Sequence, residues 1–363
     1  MDVALALAAR GHGTTWPNPM VGAVIVHDGR IAGMGYHRRP GEPHAEVHAL
    51  NDAGSLARGA TLYVNLEPCS HHGRTPPCTE AIIAAGVRRV VAAIVDPDPR
   101  VQGRGIARLR EAGIDVVVGV REAEARQLNE VYLKYKSTGR PFVLLKAAAS
   151  LDGRIATVTG HSRWISGADA RALVHRLRAV MPAVMVGIGT ALADDPRLTA
   201  RTDPPPPRQP LRVVVDSLAR LPPHARMLKV PGSTLVAVTK AAPAERLRRL
   251  ERAGAKVAVL PDQDGRVSLP ALMSELSRQG VAGVLLEGGA TLNGAMIAQG
   301  LVDKVMFFLA PLLIGGRSAP GAIGDPGAQV LEEAPRLSDV TFEPCGADLL
   351  VTGYLPAAGW ARD

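Results

Sequence analysis

A chain of 363 residues is longer than one ordinary domain and suits two; 47% of it is apolar, with only four Phe, five Tyr and three Trp, which describes an α/β protein rich in Ala, Val and Leu. Three cysteines over that length argue against a disulfide framework and for a reducing compartment, and no apolar run approaches the ~20 residues of a bilayer span, so a cytoplasmic protein with no membrane segment is expected. The formal charge of +8 favours anionic partners, but the basic residues are spread along the chain, which points to phosphorylated small molecules and away from nucleic acid.

The chain opens on MDVALALAARGHG, where Asp2 stands in place of the basic start of a signal peptide and the spacing predicts an amphipathic helix. VGAVIVHDG and RIAGMGY flank an Asp-Gly turn and read as an antiparallel hairpin. ATLYVNL, RRVVAAIVD and IDVVVG each follow a segment with helical spacing, as crossovers into a mixed sheet would, so a helix-flanked sheet of about five strands is expected. REAEARQLNEVYLKYKSTG predicts a charged helix that stops at Gly139-Arg140-Pro141, a junction that divides the chain into domains of residues 1–140 and 141–363. From PFVLLKAAASLDGRIA the alternation restarts through AVMVGIG, LRVVVDS, STLVAVT, AKVAVL, VAGVLLEGG and DKVMFFLAP, predicting one sheet of about eight strands. RTDPPPPRQP reads as a polyproline-like surface loop, and the two halves share no internal repeat.

NLEPCSHHGRTPPC holds the one close cysteine pair, Cys69 and Cys78. Zinc prefers thiolate and imidazole, and a catalytic site supplies three protein ligands while leaving the fourth position to water. The third ligand must come from His44, His48, His71 or His72. PHAEVHAL begins after a proline, as helices often do, and contains His-x-Glu; in zinc deaminases a histidine and two cysteines hold the metal while a nearby glutamate, itself no ligand, moves protons. That pattern selects His44 as the metal ligand and Glu46 as the catalytic group. A metalloprotease pair of His44 and His48 is the rival, but its glutamate would directly follow the first histidine, where Ala45 stands. His71 and His72, in the short loop between the cysteines, read as substrate-side groups. TPPCTEAII places Cys78 at a helix start, where a thiolate is favoured. Zinc held there brings a water toward neutral pKa for attack on an amidine-like ring carbon, and Glu46 would carry the water's proton to the ring nitrogen and the departing ammonia.

Eight residues separate the cysteines, where the cytidine-deaminase-like superfamily commonly has two, and that departure points to one branch. PNPMVGAVIV, GYHRRPGEPHAEVHAL, LEPCSHHGRTPPCTEAIIAAGVRRVV and DPDPRVQGRGIARLREAGIDV together resemble the deaminase half of the bacterial bifunctional riboflavin-biosynthesis family, over essentially the whole first domain. The resemblance implies a cytidine-deaminase-like mixed-sheet fold and one zinc ion per chain. Its implied substrate is 2,5-diamino-6-(5-phosphoribosylamino)pyrimidin-4-one, whose 2-amino group is replaced by oxygen. Asn18 is then a substrate contact, with His37, Arg74 and the polar loop around HHGRTPPC as further contacts for the carbonyl and phosphate.

LLEGGATLNGAMIAQGLVDK reads as a strand, a glycine turn and a helix whose N-terminus offers N–H groups to a dinucleotide's phosphates. Neither it nor VGIGTAL is G-x-G-x-x-G, so a Rossmann fold is not expected. KAAASLDGRIA, GHSRWISG, RLRAVMPAVMVGIGTALADDPRLTAR, LRVVVDS and LLEGGATLNGAM, in that order, resemble the reductase of the same family, a dihydrofolate-reductase-like α/β domain, over roughly residues 141 to 355. The resemblance implies NADPH contacts at Ala148, Trp164, Thr190, Asp194, Ser217 and the run Gly289, Ala290, Thr291, Leu292, Asn293, Gly294 and Ala295. It implies substrate contacts at Ser162, Arg178, Leu198, Arg201 and Glu287. Chemistry supports part of this independently: two arginines can grip a phosphate through forked donors, and Trp164 offers a flat face for a ring. Hydride transfer would convert the ribosyl unit to an open ribityl chain, with Glu287 and Lys146 as candidates for proton handling. Two-site enzymes of this family are usually oligomers, so a homo-oligomer is expected.

Two other readings compete. One is a base or nucleoside deaminase with an appended nucleotide-binding domain, against which stand the wide cysteine spacing and the full reductase motif set. The other is a nucleotide-binding sensor with a structural zinc, which would carry a fourth protein ligand.

Overall fold

The computed structural model describes residues 1–72 and 76–356. These fall into two units, Met1–Gly139 and a second that begins at Arg140.

The first unit runs α1 (Asp2–Ala9), β1 (Gly22–His27), β2 (Arg30–Tyr36), α2 (Ala45–Ala53), β3 (Thr61–Val64), α3 (Cys78–Ala84), β4 (Arg89–Ala92), α4 (Arg104–Glu111), β5 (Asp115–Val118), α5 (Glu122–Leu128) and α6 (Glu130–Thr138). Its five strands lie in the order β2-β1-β3-β4-β5. The Asp-Gly turn closes an antiparallel hairpin through left-handed Asp28 (φ 46°) and Gly29 (φ 75°), the backbone such a tight turn demands. β3 pairs antiparallel with β1, then parallel with β4, and β4 parallel with β5. Ile25, Leu62, Val64, Val90, Ile82 and Leu109 fill the core between sheet and helices.

Small residues set how closely the helices approach. A Cβ on Gly35 of β2 would overlap the Ala45 carbonyl and the Ala49 nitrogen of α2, so only glycine lets α2 lie flat against the hairpin. Since His44 caps that helix and Glu46 sits in its first turn, the packing also sets where those side chains point. Gly35→Ala is expected to cost about 1–3 kcal/mol by overpacking. It would appear as a lower denaturation midpoint with an unchanged slope; an unchanged midpoint would mean that α2 has room to move.

Two local expectations need adjusting. α1 forms where the pattern placed it, but its buried face is Ala4 and Ala8 over Gly22, with Val3 left exposed. The charged helix is broken into α5 and α6 at Asn129. The buried Asn129 side chain accepts from the Met20 N–H (2.8 Å) and donates to the Met20 carbonyl (2.9 Å), trading helical continuity for a tertiary clamp. α6 then ends at left-handed Gly139 (φ 67°), as a glycine stop should.

The second unit runs β6 (Phe142–Ser150), α7 (Ala168–Val180), β7 (Ala183–Gly187), α8 (Ile188–Asp194), β8 (Leu211–Val215), β9 (Thr234–Val238), α9 (Ala244–Arg252), β10 (Lys256–Val259), β11 (Asp262–Gln263), β12 (Arg266–Val267), α10 (Leu269–Arg278), β13 (Gly283–Leu286), α11 (Ala290–Ala298), β14 (Lys304–Ala310), β15 (Ser338–Cys345) and β16 (Asp348–Tyr354). Nine strands form one sheet in the order β10-β9-β8-β7-β13-β6-β14-β16-β15, and β11 and β12 make a separate small hairpin. From β10 to β14 the neighbours are parallel; β16 and β15 close the edge antiparallel. The central parallel strands β7, β9 and β13 are nearly continuous buried apolar runs, as strands covered on both faces are. The sequence pattern missed the closing hairpin: β15, SDVTFEPC, is exposed along nearly its whole length and carries Pro344, so it shows neither a buried run nor clean alternation. Among the described residues no helix is long and apolar enough to cross a membrane.

Candidate functional site

Three chain segments converge on one point in the first unit. His44 is the N-cap of α2, Cys78 opens α3, and Cys69 lies on the stretch after β3. His44 Nδ1 stands 3.2 Å from Cys78 Sγ and 3.6 Å from Cys69 Sγ, and the three donor atoms all lie within 4.8 Å of one another. Tetrahedral zinc with ordinary bond lengths separates its nitrogen and sulfur donors by about 3.6 Å, so the donor set fits the ion. His48, His71 and His72 are outside this cluster.

The two sulfurs stand close enough to contest a proton. The Cys78 thiol beside Cys69, helped by His44 and the Cys78 backbone N–H, draws Cys69 down to about 4, and the same neighbour together with burial drives Cys78 up. A sulfur inclined toward the thiolate form suits a metal ligand. Glu46 is 3% exposed, beside the Cys78 thiol, and its Oε2 has no hydrogen-bond partner among the described residues. Burial pushes its carboxyl up, with His44 opposing.

Two neighbours shape the rest of the site. His37 is buried with its ring edge-on to His44 at 5.2 Å. Its Nδ1 donates to the Pro43 carbonyl (3.3 Å), which leaves Nε2 to accept from Asn18 Nδ2 (2.9 Å) and turns the Asn18 carbonyl oxygen to other partners. Glu67, a residue the sequence reading passed over, accepts from the backbone N–H groups of Asp96, Gly103, Gly105 and Ile106 at 2.9 to 3.2 Å. It thereby caps α4 and pins the segment carrying Cys69. Its signal was present in NLEPC, as an acidic residue inside an otherwise apolar run. Arg74 lies outside the described residues.

In the second unit a cleft of about 960 Å³ opens at the C-terminal ends of β6, β7 and β13, the place where a parallel sheet whose strand order reverses leaves room for a ligand. Ala148, Ser162, Trp164, Arg178, Thr190, Asp194, Leu198, Arg201, Glu287, Gly289 and Asn293 all line it. Ser217 and residues 290–292, 294 and 295 do not: Ser217 follows β8, where its hydroxyl accepts from Val267 N–H (3.1 Å), and Leu292 and Gly294 are buried within α11.

Leu198, chemically mute in the sequence, is buried and takes a left-handed backbone (φ 53°). Thr190 Oγ1 accepts from Gly289 N–H at 2.8 Å, fixing the turn into α11, where Gly288 adopts φ 92°. Arg178 grips Glu287 through two bonds of 2.6 and 2.7 Å. Burial pushes the Glu287 carboxyl up, but Arg178 and Lys146 outweigh it and leave the group below its ordinary range. Lys146, partly open to the cleft, is pushed down by burial. Trp164 is 71% exposed and faces the Arg171 guanidinium at 4.8 Å, so it is a wall of the cleft and no part of the core. His175, Arg197 and Arg226 also line the cleft; His175 could have been found from its three-residue spacing to Arg178 on one helix.

Comparison with known proteins covers both units. Residues 1–94 match the cytidine and deoxycytidylate deaminase zinc-binding region, and residues 141–351 match the RibD C-terminal domain. The chain is 47% identical over 360 residues to the riboflavin biosynthesis protein RibD of Escherichia coli, spanning 96% of each. It is 44% identical to that of Bacillus amyloliquefaciens, spanning 97% of this chain and 94% of the relative. Among solved structures, Acinetobacter baumannii RibD superposes with a TM-score of 0.87 at 40% identity, over 98% of this chain and 97% of that one. A diaminohydroxyphosphoribosylaminopyrimidine deaminase/5-amino-6-(5-phosphoribosylamino)uracil reductase from Thermotoga maritima superposes with a TM-score of 0.84 at 34% identity, again over 98% and 97%. With a His-Cys-Cys zinc site in a deaminase-like first unit and the family's own C-terminal domain as the second, the chain belongs to the RibD family of bifunctional deaminase–reductases of riboflavin biosynthesis.

Proposed function

We propose that residues 1–140 deaminate 2,5-diamino-6-(5-phosphoribosylamino)pyrimidin-4-one and that residues 141–363 then reduce the ribosyl side chain of the product with NADPH, in a cytoplasmic homo-oligomer. The observation that carries the first step is Glu46, buried beside the three metal donors with an Oε2 that has no hydrogen-bond partner among the described residues. A structural zinc would call for a fourth protein donor. Zinc bound there supplies the Lewis acidity that makes water a nucleophile near neutral pH. Glu46 Oε2 takes a proton from the attacking water and passes it to the ring nitrogen, then takes the remaining proton from the new hydroxyl and gives it to the amine as the C2–N bond breaks, so that ammonia leaves and the carbonyl remains. Asn18, held by His37, presents its carbonyl oxygen to the pyrimidine's amino edge.

In the second step NADPH supplies the hydride. The residues around the cleft fit that cofactor: the Gly288–Gly289 turn bares backbone at the N-terminus of α11, the kind of end that holds phosphate. Ala148, Trp164, Thr190, Asp194, Ser217 and residues 289–295 are assigned to it. Ser162, Leu198, Arg178, Arg201 and Glu287 are assigned to the substrate, with the arginines toward its phosphate. Hydride delivered to the sugar's C1 and a proton to its ring oxygen open the ring, and Lys146 and Glu287, both lining the cleft, are the candidates to handle that proton.

The purified holoprotein, given the pyrimidine with and without NADPH, should contain close to one zinc per chain. It should release ammonia in either case and oxidise NADPH only once deamination has begun. NADPH oxidation at full rate while deamination is blocked by zinc removal, on substrate not yet deaminated, would sink the order; release of ammonia from cytidine but not from the phosphoribosyl substrate would restore the nucleoside-deaminase reading.

A further inference from the structure

Arg178 and Arg201 flank the cleft, and the fold secures them in opposite ways. Arg178 is locked to Glu287, so its charge is met before any ligand arrives. Arg201 is exposed, and its guanidinium donates to two neutral acceptors, His175 Nε2 at 2.8 Å and Thr199 Oγ1 at 3.2 Å. A guanidinium has no acceptor, so His175 Nε2 must present its lone pair and Nδ1 must carry the proton. The Arg201 backbone N–H also points at the ring, at Nδ1 and 3.3 Å; a neutral imidazole has one lone pair to offer, and the shorter contact, with the guanidinium, takes it at Nε2, while the Thr199 backbone is a further partner of the ring.

We propose that His175 is a positioning residue for the substrate's phosphate: its neutral ring, with the Thr199 hydroxyl, fixes the Arg201 guanidinium at the cleft without cancelling its charge, so that Arg201 supplies the charge and Arg178 the orientation. This rests on the reading that Arg201 meets the phosphate. The arrangement answers two conflicting needs. A carboxylate at 175 would hold Arg201 as firmly but neutralise it, and an apolar side chain would leave a long exposed arginine to sweep its rotamers. The surroundings keep the ring neutral: burial first, then Arg201 and Arg178, push His175 down to about 4, with Glu287 opposing. Around Arg201 itself stand Arg178, Arg197 and Arg226, a positive field suited to an anion.

The test is steady-state reduction of 5-amino-6-(5-phosphoribosylamino)uracil by the full chain carrying His175→Ala, His175→Gln, His175→Glu, Arg201→Ala or His175→Ala with Arg201→Ala. His175→Ala should raise KM for the pyrimidine about tenfold, with kcat and the KM for NADPH within about twofold, the signature of lost ground-state binding. His175→Gln, which keeps a neutral acceptor, should recover most of the loss. His175→Glu should be worse than alanine, and the double variant no worse than Arg201→Ala alone. If Arg201→Ala raises KM while His175→Ala does not, the positioning role is wrong and the Arg201 reading stands. If Arg201→Ala leaves KM unchanged, the Arg201 reading fails and the positioning role with it. Should the alanine variant not fold, glutamate and glutamine variants of equal KM overturn the proposal by themselves.

Discussion

Glu46→Gln should slow ammonia release by about 10³-fold, near the middle of the range for removing a positioned acid–base group, while zinc content stays close to one per chain. The two effects separate because Glu46 is adjacent to the donor set but outside it. Glutamine keeps the shape and volume of the side chain in a 3%-exposed pocket yet has no basic oxygen to take a proton at the Oε2 position, which has no partner among the described residues. The same variant should reduce pre-deaminated substrate at the wild-type rate, since no residue lining the second unit's cleft is altered. Ammonia release within tenfold of wild type would show that another group shuttles the proton. Lost zinc would show instead that Glu46 helps to hold the metal site together.

The zinc triad was legible because its chemistry is concentrated in residue types with few other uses. A histidine two before a glutamate, and two cysteines in a chain with only one more, leave little room for structural explanations. The strands of the first unit were legible for a different reason: β-branched runs separated by turn residues have a short period that survives without tertiary information. What the pattern could not show was a local preference overruled at long range. Asn129 breaks a helix that its neighbours favour, because its side chain binds Met20 far away in sequence. Likewise β15, solvated and interrupted by Pro344, owes its strand state to pairing with β16.

The reductase cleft was legible mainly through resemblance. Its residues are ordinary ones scattered from β6 to α11, and their proximity follows from a strand order, β7-β13-β6, that no local pattern encodes. Glu67 and His175 were missed in the same way. Each acts by holding another group: Glu67 the segment bearing Cys69, His175 the guanidinium of Arg201. Holding leaves only faint marks, an acidic residue in an apolar run for Glu67 and a three-residue helical spacing to Arg178 for His175.

Glu287→Gln should give the largest loss in the second unit, in stability as well as in rate. The carboxylate is 9% exposed and takes both prongs of Arg178, itself 14% exposed, with Lys146 close behind. Removing one partner of so enclosed a pair leaves a cation that has surrendered its water and lost its counter-charge, and such losses run to about 3–5 kcal/mol. Glutamine retains one acceptor oxygen, so about 3 kcal/mol is expected, read as a fall in the denaturation midpoint. Lys146, which burial already pushes down, loses the neighbour that raises it and should be driven further toward the neutral amine. With Arg178 unmoored and the charge on Lys146 weakened, NADPH oxidation should fall by about 10²-fold or more, while ammonia release from the first unit continues. A variant that melts with the wild type but reduces slowly would leave Glu287 a role in chemistry alone. One that melts early yet reduces normally would confine it to holding Arg178, and proton handling would pass to Lys146.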